Sequence, residues 1–161
     1  MHTMLLTAQL DGRAGVGKIG SRIGLAADAF VFNDATDLTT LIETEQGVQS
    51  IDCVLVDEAQ FLTDQHVWQL ADVADRLGIP VMCYGLRTDF QGNMFPGSAR
   101  LLAIADNIRE IRTICHCGRK ATMVVRQDEQ GRVIVDGDQV EIGGNDKYVS
   151  LCRTHWKDAI G

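Results

Sequence analysis

Two close pairs of metal-binding side chains stand in the last third of the chain, Cys115-His116-Cys117 and Cys152-Arg153-Thr154-His155. Thiolate and imidazole ligands suit tetrahedral zinc, and two pairs from separate turns can clamp a segment that lacks a core of its own. Cys115, Cys117, Cys152 and His155 form a complete set with no open position, which predicts a structural Zn²⁺ rather than one that activates water. His116, between two ligands, is expected to point away. The plain alternative is a group of small residues in a weakly β-like region. Cys53 and Cys83 lie in apolar, β-branched runs and read as buried thiols. In a reducing compartment this pattern suggests metal before disulfide.

An acidic pair supplies the second chemistry. Val54-Leu55-Val56-Asp57-Glu58-Ala59-Gln60-Phe61 is a buried-strand pattern ending in two carboxylates. In an open α/β sheet, ligands bind outside the carboxyl ends of the strands. An Asp there can hold Mg²⁺ and a neighbouring carboxylate can take a proton from an attacking hydroxyl. Alternation along the strand would send the two side chains opposite ways and separate those roles. The alternative is that both acids simply close the strand. Gly12 to Lys18 matches the phosphate-loop spacing G-x-x-x-x-G-K, but Ile19 stands where a metal-binding hydroxyl belongs and no helix pattern follows, so the stretch reads as a flexible glycine-rich loop. Phe61 and Phe90 could sandwich a flat ring or belong to the core, and Tyr148 is either a strand residue or a ligand contact.

The elements that must position these groups alternate. Strands are expected at Met4 to Ala8, Ala29 to Phe32, Ile51 to Val56 and Val81 to Tyr84. Asp34 should cap an amphipathic helix through Glu45, and Thr63 a second one carrying Val67, Leu70, Ala74 and Leu77, closed by Gly78. Gly85 to Pro96 reads as a loop, Ser98 to Ala105 as a helix, and Ile108 to Ile114 as a further strand. Alternation of this kind means a mostly parallel sheet with helices on its faces. From Cys115 the pattern becomes short β pieces at Ala121 to Val125, Val133 to Val135 and Val140 to Ile142, with turns at Asp128 to Gly131 and Gly143 to Asp146, which predicts a small β-rich appendage. The expected domains are therefore 1–113 and 114–161.

The chain has 161 residues, 45% of them hydrophobic, and a formal charge of −7. It is long enough for a real core, and the acidic balance disfavours nucleic acid and anionic membrane as partners. No apolar run approaches the roughly 18 residues of a membrane span, and no signal peptide is read at the N-terminus, so the cytoplasm is the expected compartment.

Asp57-Glu58-Ala59-Gln60-Phe61, Gly85-Leu86-Arg87-Thr88-Asp89-Phe90-Gln91-Gly92, the two Cys/His pairs, and Ile142-Gly143-Gly144-Asn145 with Tyr148-Val149-Ser150 together resemble the zinc-containing cytosolic thymidine kinases, from about Leu5 to Trp156. The resemblance implies a P-loop-type α/β kinase domain followed by a zinc-binding lasso domain. It also implies ATP-dependent phosphorylation of the thymidine 5′-hydroxyl with Mg²⁺, in a homotetramer. By matching position it makes Glu58 the general base and Asp57 the Mg²⁺-associated acid. Ala59 and Gln60 join the nucleotide-contacting segment, and Asp11 and Arg13 lie near the phosphates. Phe61, Leu86 and Phe90 become pocket walls. Gln139, Val140, Glu141, Ile142 and Gly143 offer backbone to the thymine edge, and Tyr148 contacts the nucleoside. The family opens with a strand, a true phosphate loop and its helix, and this chain starts after that βα unit, which should leave the Val54 strand at an open edge. Two function classes follow: an enzyme, thymidine kinase by descent, or a truncated, catalytically inactive thymidine binder or oligomer partner.

Overall fold

The computed structural model describes residues 1–10, 17–20, 24–139 and 147–161. The expected site residues Asp11, Arg13, Val140, Glu141, Ile142 and Gly143, and most of the glycine-rich stretch from Gly12, lie outside the described residues. The described chain divides into two compact units, Met1–Leu86 with Pro96–Ile104, and Arg87–Phe95 with Ala105–Gly161.

The first unit is built on a parallel sheet. Strands β1 (Thr3–Ala8), β4 (Phe30–Phe32), β5 (Cys53–Val56) and β6 (Val81–Cys83) lie in the order β4-β1-β5-β6. A short antiparallel hairpin, β2 (Lys18–Gly20) with β3 (Ala26–Asp28), precedes β4 and was not legible as strands in so polar and glycine-rich a stretch. The Val54 strand is not left open as expected. β5 pairs with β1 on one side and β6 on the other, and the sheet ends instead at β4 and β6.

Three helices join the strands. Helix α1 (Leu38–Val48) is capped by Asp37, whose side chain accepts from Thr40 N, not by Asp34. Asn33 explains the difference: its Oδ1 accepts from Ala35 N and its N–H donates to Thr36 Oγ1, closing residues 33–36 into a turn before a helix can start. Helix α2 (Asp64–Leu77) starts at Thr63 and stops at Gly78, whose φ of 67° is the left-handed stop expected of a glycine. Helix α3 (Pro96–Ile104) begins two residues before Ser98, on a proline whose fixed φ and missing donor suit the first turn. Met4, Leu6, Val54 and Val56 project from one sheet face into a core with Leu38 and Ile42 of α1, Val67, Leu70 and Val73 of α2, and Leu101 and Ile104 of α3. Burying a side chain of this size is worth roughly 1.5–3 kcal/mol, so this face dominates the unit's stability.

The second unit carries two small antiparallel sheets. Strand β7 (Thr113–Ile114) pairs with β8 (Lys120–Ala121), and β9 (Met123–Gln127) lies between β10 (Val133–Ile134) and β11 (Lys147–Leu151). A terminal helix α4 (Arg153–Ile160) follows. The strand expected over Ile108 to Ile114 shrinks to its last two residues and joins β8 rather than the parallel sheet. The cause is the tight turn at Cys115, where Gly118 N donates to Cys115 O and Cys115 N to Arg119 O. The turn at Asp128 is as expected, its Oδ1 accepting from Gln130 N and Arg132 N. Among the described residues no helix is long and apolar enough to cross a membrane.

Candidate functional site

The acidic pair sits where β5 ends. Asp57 N still pairs with Leu6 O, but Glu58 leaves the strand with φ 52° and ψ 41° and leads into a single 3-10 turn, Ala59–Phe61. Strand alternation therefore does not separate the two acids as expected; the left-handed turn does. That conformation costs a side-chain-bearing residue roughly 1–2 kcal/mol, and three contacts hold it. Asp57 Oδ1 accepts from Glu58 N at 3.0 Å, Ala59 N donates to Tyr84 O at 2.8 Å, and Phe61 N donates to Glu58 O at 3.0 Å. Two glycines close the turn from outside. A Cβ on Gly85 would stand 2.6 Å from Gln60 Oε1 and 2.9 Å from Gln60 N, and one on Gly97, at the start of α3, would run into the Leu62 carbonyl.

Asp57 and Glu58 are half-buried, and Ala59 and Gln60 are buried. Gln60 Nε2 donates to Glu58 Oε2, and its Oε1 accepts from Leu86 N. Beside them, a cleft of about 430 Å³ opens at the carboxyl ends of β1 and β4, lined by Phe61 with Ala8, Gln9, Phe32, Asn33 and Asp34. This is the ligand-binding edge of an open parallel sheet. Leu86, half exposed, stands on the segment that follows β6.

In the second unit the loop Arg87–Phe95 is organised by a buried carboxylate. Asp89 Oδ1 accepts from Gln91 N and Asn93 N, while Oδ2 accepts from Gln139 Nε2 at 2.9 Å. Phe90 is only 2% exposed, with the Arg126 guanidinium 5.1 Å from its ring centroid. Arg126 also donates to Asp138 O, so Asp138 and Gln139 are both tied down where the segment toward Gly143 begins. Tyr148 lies on β11 opposite Arg126, its side chain half exposed. Sequence reading missed Asp89 and Arg126; the Asp-x-Gln-Gly-Asn order around Asp89 is a turn signal that could have found the first.

The Cys/His pairs meet. The ligand atoms of Cys115, Cys117, Cys152 and His155 all lie within 4.8 Å of one another. Tetrahedral zinc with its usual bond lengths requires edges of about 3.8 Å between sulfurs and about 3.6 Å between sulfur and nitrogen. Cys117 Sγ and Cys152 Sγ are 3.9 Å apart, and His155 Nδ1 is 3.3 Å from Cys115 Sγ and 3.6 Å from Cys152 Sγ. The donor set fits zinc in kind and in size. Burial alone would push the Cys115 thiol up, but the Cys117 and Cys152 amides and the His155 ring outweigh it and bring it down to about 5. The Arg119 amide draws the Cys117 thiol down, yet burial and the Cys115 and Cys152 sulfurs prevail and leave it above its ordinary value. His116 does not simply turn away: its ring stacks on that of His155, centroids 4.3 Å apart. The other thiols are inert by contrast, burial pushing Cys83 up to about 12 and raising Cys53.

The description Thymidine kinase matches residues 1–156 of this chain. A protein named Thymidine kinase from Ruegeria pomeroyi is 60% identical over 100% of this chain and 81% of its own length. Relatives of the same name from Rhizobium meliloti and Agrobacterium fabrum are 64% and 60% identical, each over 99% of this chain and 83% of theirs. The chain belongs to the thymidine kinase family. Within that family frame, the first unit brings together Asp57, Glu58, Ala59, Gln60, Phe61 and Leu86. The second unit gathers the four Cys/His donors whose spacing fits zinc, ties Asp89 to Gln139, and sets Arg126 between the Phe90 ring and Asp138 O.

Proposed function

We propose that this thymidine kinase family member transfers the γ-phosphoryl group of ATP to the 5′-hydroxyl of thymidine, with Glu58 as general base and Asp57 as the acid associated with Mg²⁺. The observation that carries this reading is the left-handed turn at Glu58, which lifts a half-buried carboxylate out of the strand at the ligand-binding edge of the sheet. Backbone strain held in place by surrounding contacts is the kind of feature that a reacting group justifies. Asp57 commits one oxygen to Glu58 N, and its carboxylate would be the group that holds Mg²⁺. When bound, Mg²⁺ neutralises charge developing on the phosphate oxygens. Of the chain's own groups, Glu58 receives the hydroxyl proton and Phe61, in the cleft wall, excludes water beside it.

Asp11 and Arg13 near the phosphates, Phe90, Gln139 through Gly143 and Tyr148 toward the nucleoside, and the homotetramer belong to the same reading on the strength of the family resemblance. The burial of Phe90 under Arg126 supports a role for that ring in holding its loop as much as in facing a base. Light scattering reads the assembly directly. The test of the activity is Glu58→Gln, which keeps shape but removes the base. Turnover with labelled thymidine should fall about 10²- to 10⁴-fold with thymidine binding kept, and near-full turnover would show that the base is elsewhere.

A further inference from the structure

Gln60 is 3% exposed, and both ends of its amide are spent inside the protein. Nε2 donates to Glu58 Oε2 at 2.5 Å, and Oε1 accepts from Leu86 N at 3.1 Å. The assignment of the amide is fixed by its partners, because a flipped side chain would set a carbonyl against a carboxylate and an NH₂ against an N–H. Leu86 is gripped from its other side as well, Ser98 Oγ donating to its carbonyl at 2.5 Å. The bare backbone of Gly85 is what lets this segment approach, since a Cβ there would meet Gln60 Oε1. One amide thus spans from the acidic turn after β5 to the segment after β6.

We infer that Gln60 is a positioning residue: it fixes the Glu58 carboxylate relative to the Leu86 backbone, so that a nucleoside seated against Leu86 presents its hydroxyl at the right distance from the base. This rests on the reading of Glu58 as base. A glutamate side chain left free has several rotamers to lose on each turnover, and reacting atoms displaced by about 1 Å can cost on the order of 10²-fold in rate. Gln60 restricts that freedom beforehand. Through these two bonds Gln60 serves the reaction by way of Glu58 and Leu86.

Gln60→Glu is the discriminating variant. It keeps size and the acceptor for Leu86 N but replaces the donor to Glu58 by a second carboxyl oxygen, whose repulsion drives the Glu58 carboxylate from its place. Its kcat should fall at least about tenfold while the thymidine KM stays within about threefold, because ground-state binding is preserved and alignment is not. A second measurement is independent of turnover: the Gln60 side-chain amide protons, followed by ¹H–¹⁵N NMR on the ¹⁵N-labelled protein, should exchange slowly with water and should shift and exchange faster in Glu58→Ala. A Gln60→Glu protein with unchanged kcat, or a Gln60 amide signal indifferent to Glu58→Ala, would overturn the inference. Full turnover by Glu58→Gln, with the amide signal behaving as expected, would refute the base and leave the hydrogen bond standing.

Discussion

Removing zinc should unfold the second unit while leaving the first intact. One buried apolar cluster of the second unit consists of Cys115, Val125, Leu151 and Cys152, two of them from the Cys/His set, with Trp156 and Val149 half-buried against it, and Phe90 and Phe95 are buried elsewhere in the unit. Val125 and Leu151 together contribute about 3–6 kcal/mol by burial. Structural zinc binding is worth about 10–16 kcal/mol in small zinc domains. Chelation with excess EDTA, or Cys152→Ser, should therefore release one Zn²⁺ per chain and expose the amides of β9 and β11 to hydrogen exchange within seconds to minutes. The amides of α2, which packs on the large core of the first unit, should remain protected. Trp156 offers an optical readout, because its Nε1 donates to both Phe90 O and Val124 O and both bonds would be lost. Protein without zinc by elemental analysis, or exchange in β9 and β11 unaffected by chelation, would refute this account of what holds the unit together.

Gly85→Ala should cost about 1–3 kcal/mol in urea unfolding, since the new Cβ meets both Oε1 and N of Gln60 and the backbone nitrogen cannot swing aside; a cost below 0.5 kcal/mol would mean the turn yields. Asp89→Asn keeps an acceptor for Gln91 N and Asn93 N but sets an NH₂ against the Gln139 amide, so hydrogen exchange of the Gln139 side-chain amide should quicken several-fold, about 1 kcal/mol. Asp128 is held below its ordinary value by the Arg132 amide and side chain. A carboxyl depressed in the folded state stabilises above its unfolded value and stops doing so as pH falls through the folded one. Protection of Arg132 N, which is its exchange rate corrected for the intrinsic pH dependence of amide exchange, should therefore fall below about pH 4 in the wild type and stay flat with pH in Asp128→Asn. Equal profiles in the two proteins would remove Asp128 from the turn's energetics.

Elements whose signals are local were legible in the sequence. Thr63 and Gly78 bracket α2, the run before Asp57 is the central strand, and the spacing of Cys115, Cys117, Cys152 and His155 brings four ligands to one point. Signals that depend on competition between neighbours were not. Asp34 and Asp37 are equally good caps by type, and only the side-chain turn of Asn33 decides for Asp37. Ile108 to Ile114 has strand composition, but composition does not say which edge is available to pair with, and Ile108, Ile111 and Ile114 remain exposed. Asp89 and Arg126 escaped because their partners at residues 138 and 139 are remote in sequence.

The acidic pair shows why even a motif read correctly leaves its chemistry undetermined. Nothing in Asp57-Glu58-Ala59-Gln60 by itself forces a left-handed residue at position 58; a regular strand or a helix start would fit the same letters. The conformation is imposed by residues further along, Tyr84 accepting from Ala59 N, Gly85 allowing the next segment to close on Gln60, and Gly97 allowing α3 to press on the turn from the other side. Each of these is a backbone approach that only the fold brings about, and two of them need the absence of a side chain. The strain at Glu58 is then sustained by the packing of β6 and α3, so loosening either element should disturb the carboxylate without touching it. The placement of the Glu58 carboxylate is in that sense a property of Tyr84, Gly85, Leu86, Gly97 and Ser98 as much as of the acidic pair itself.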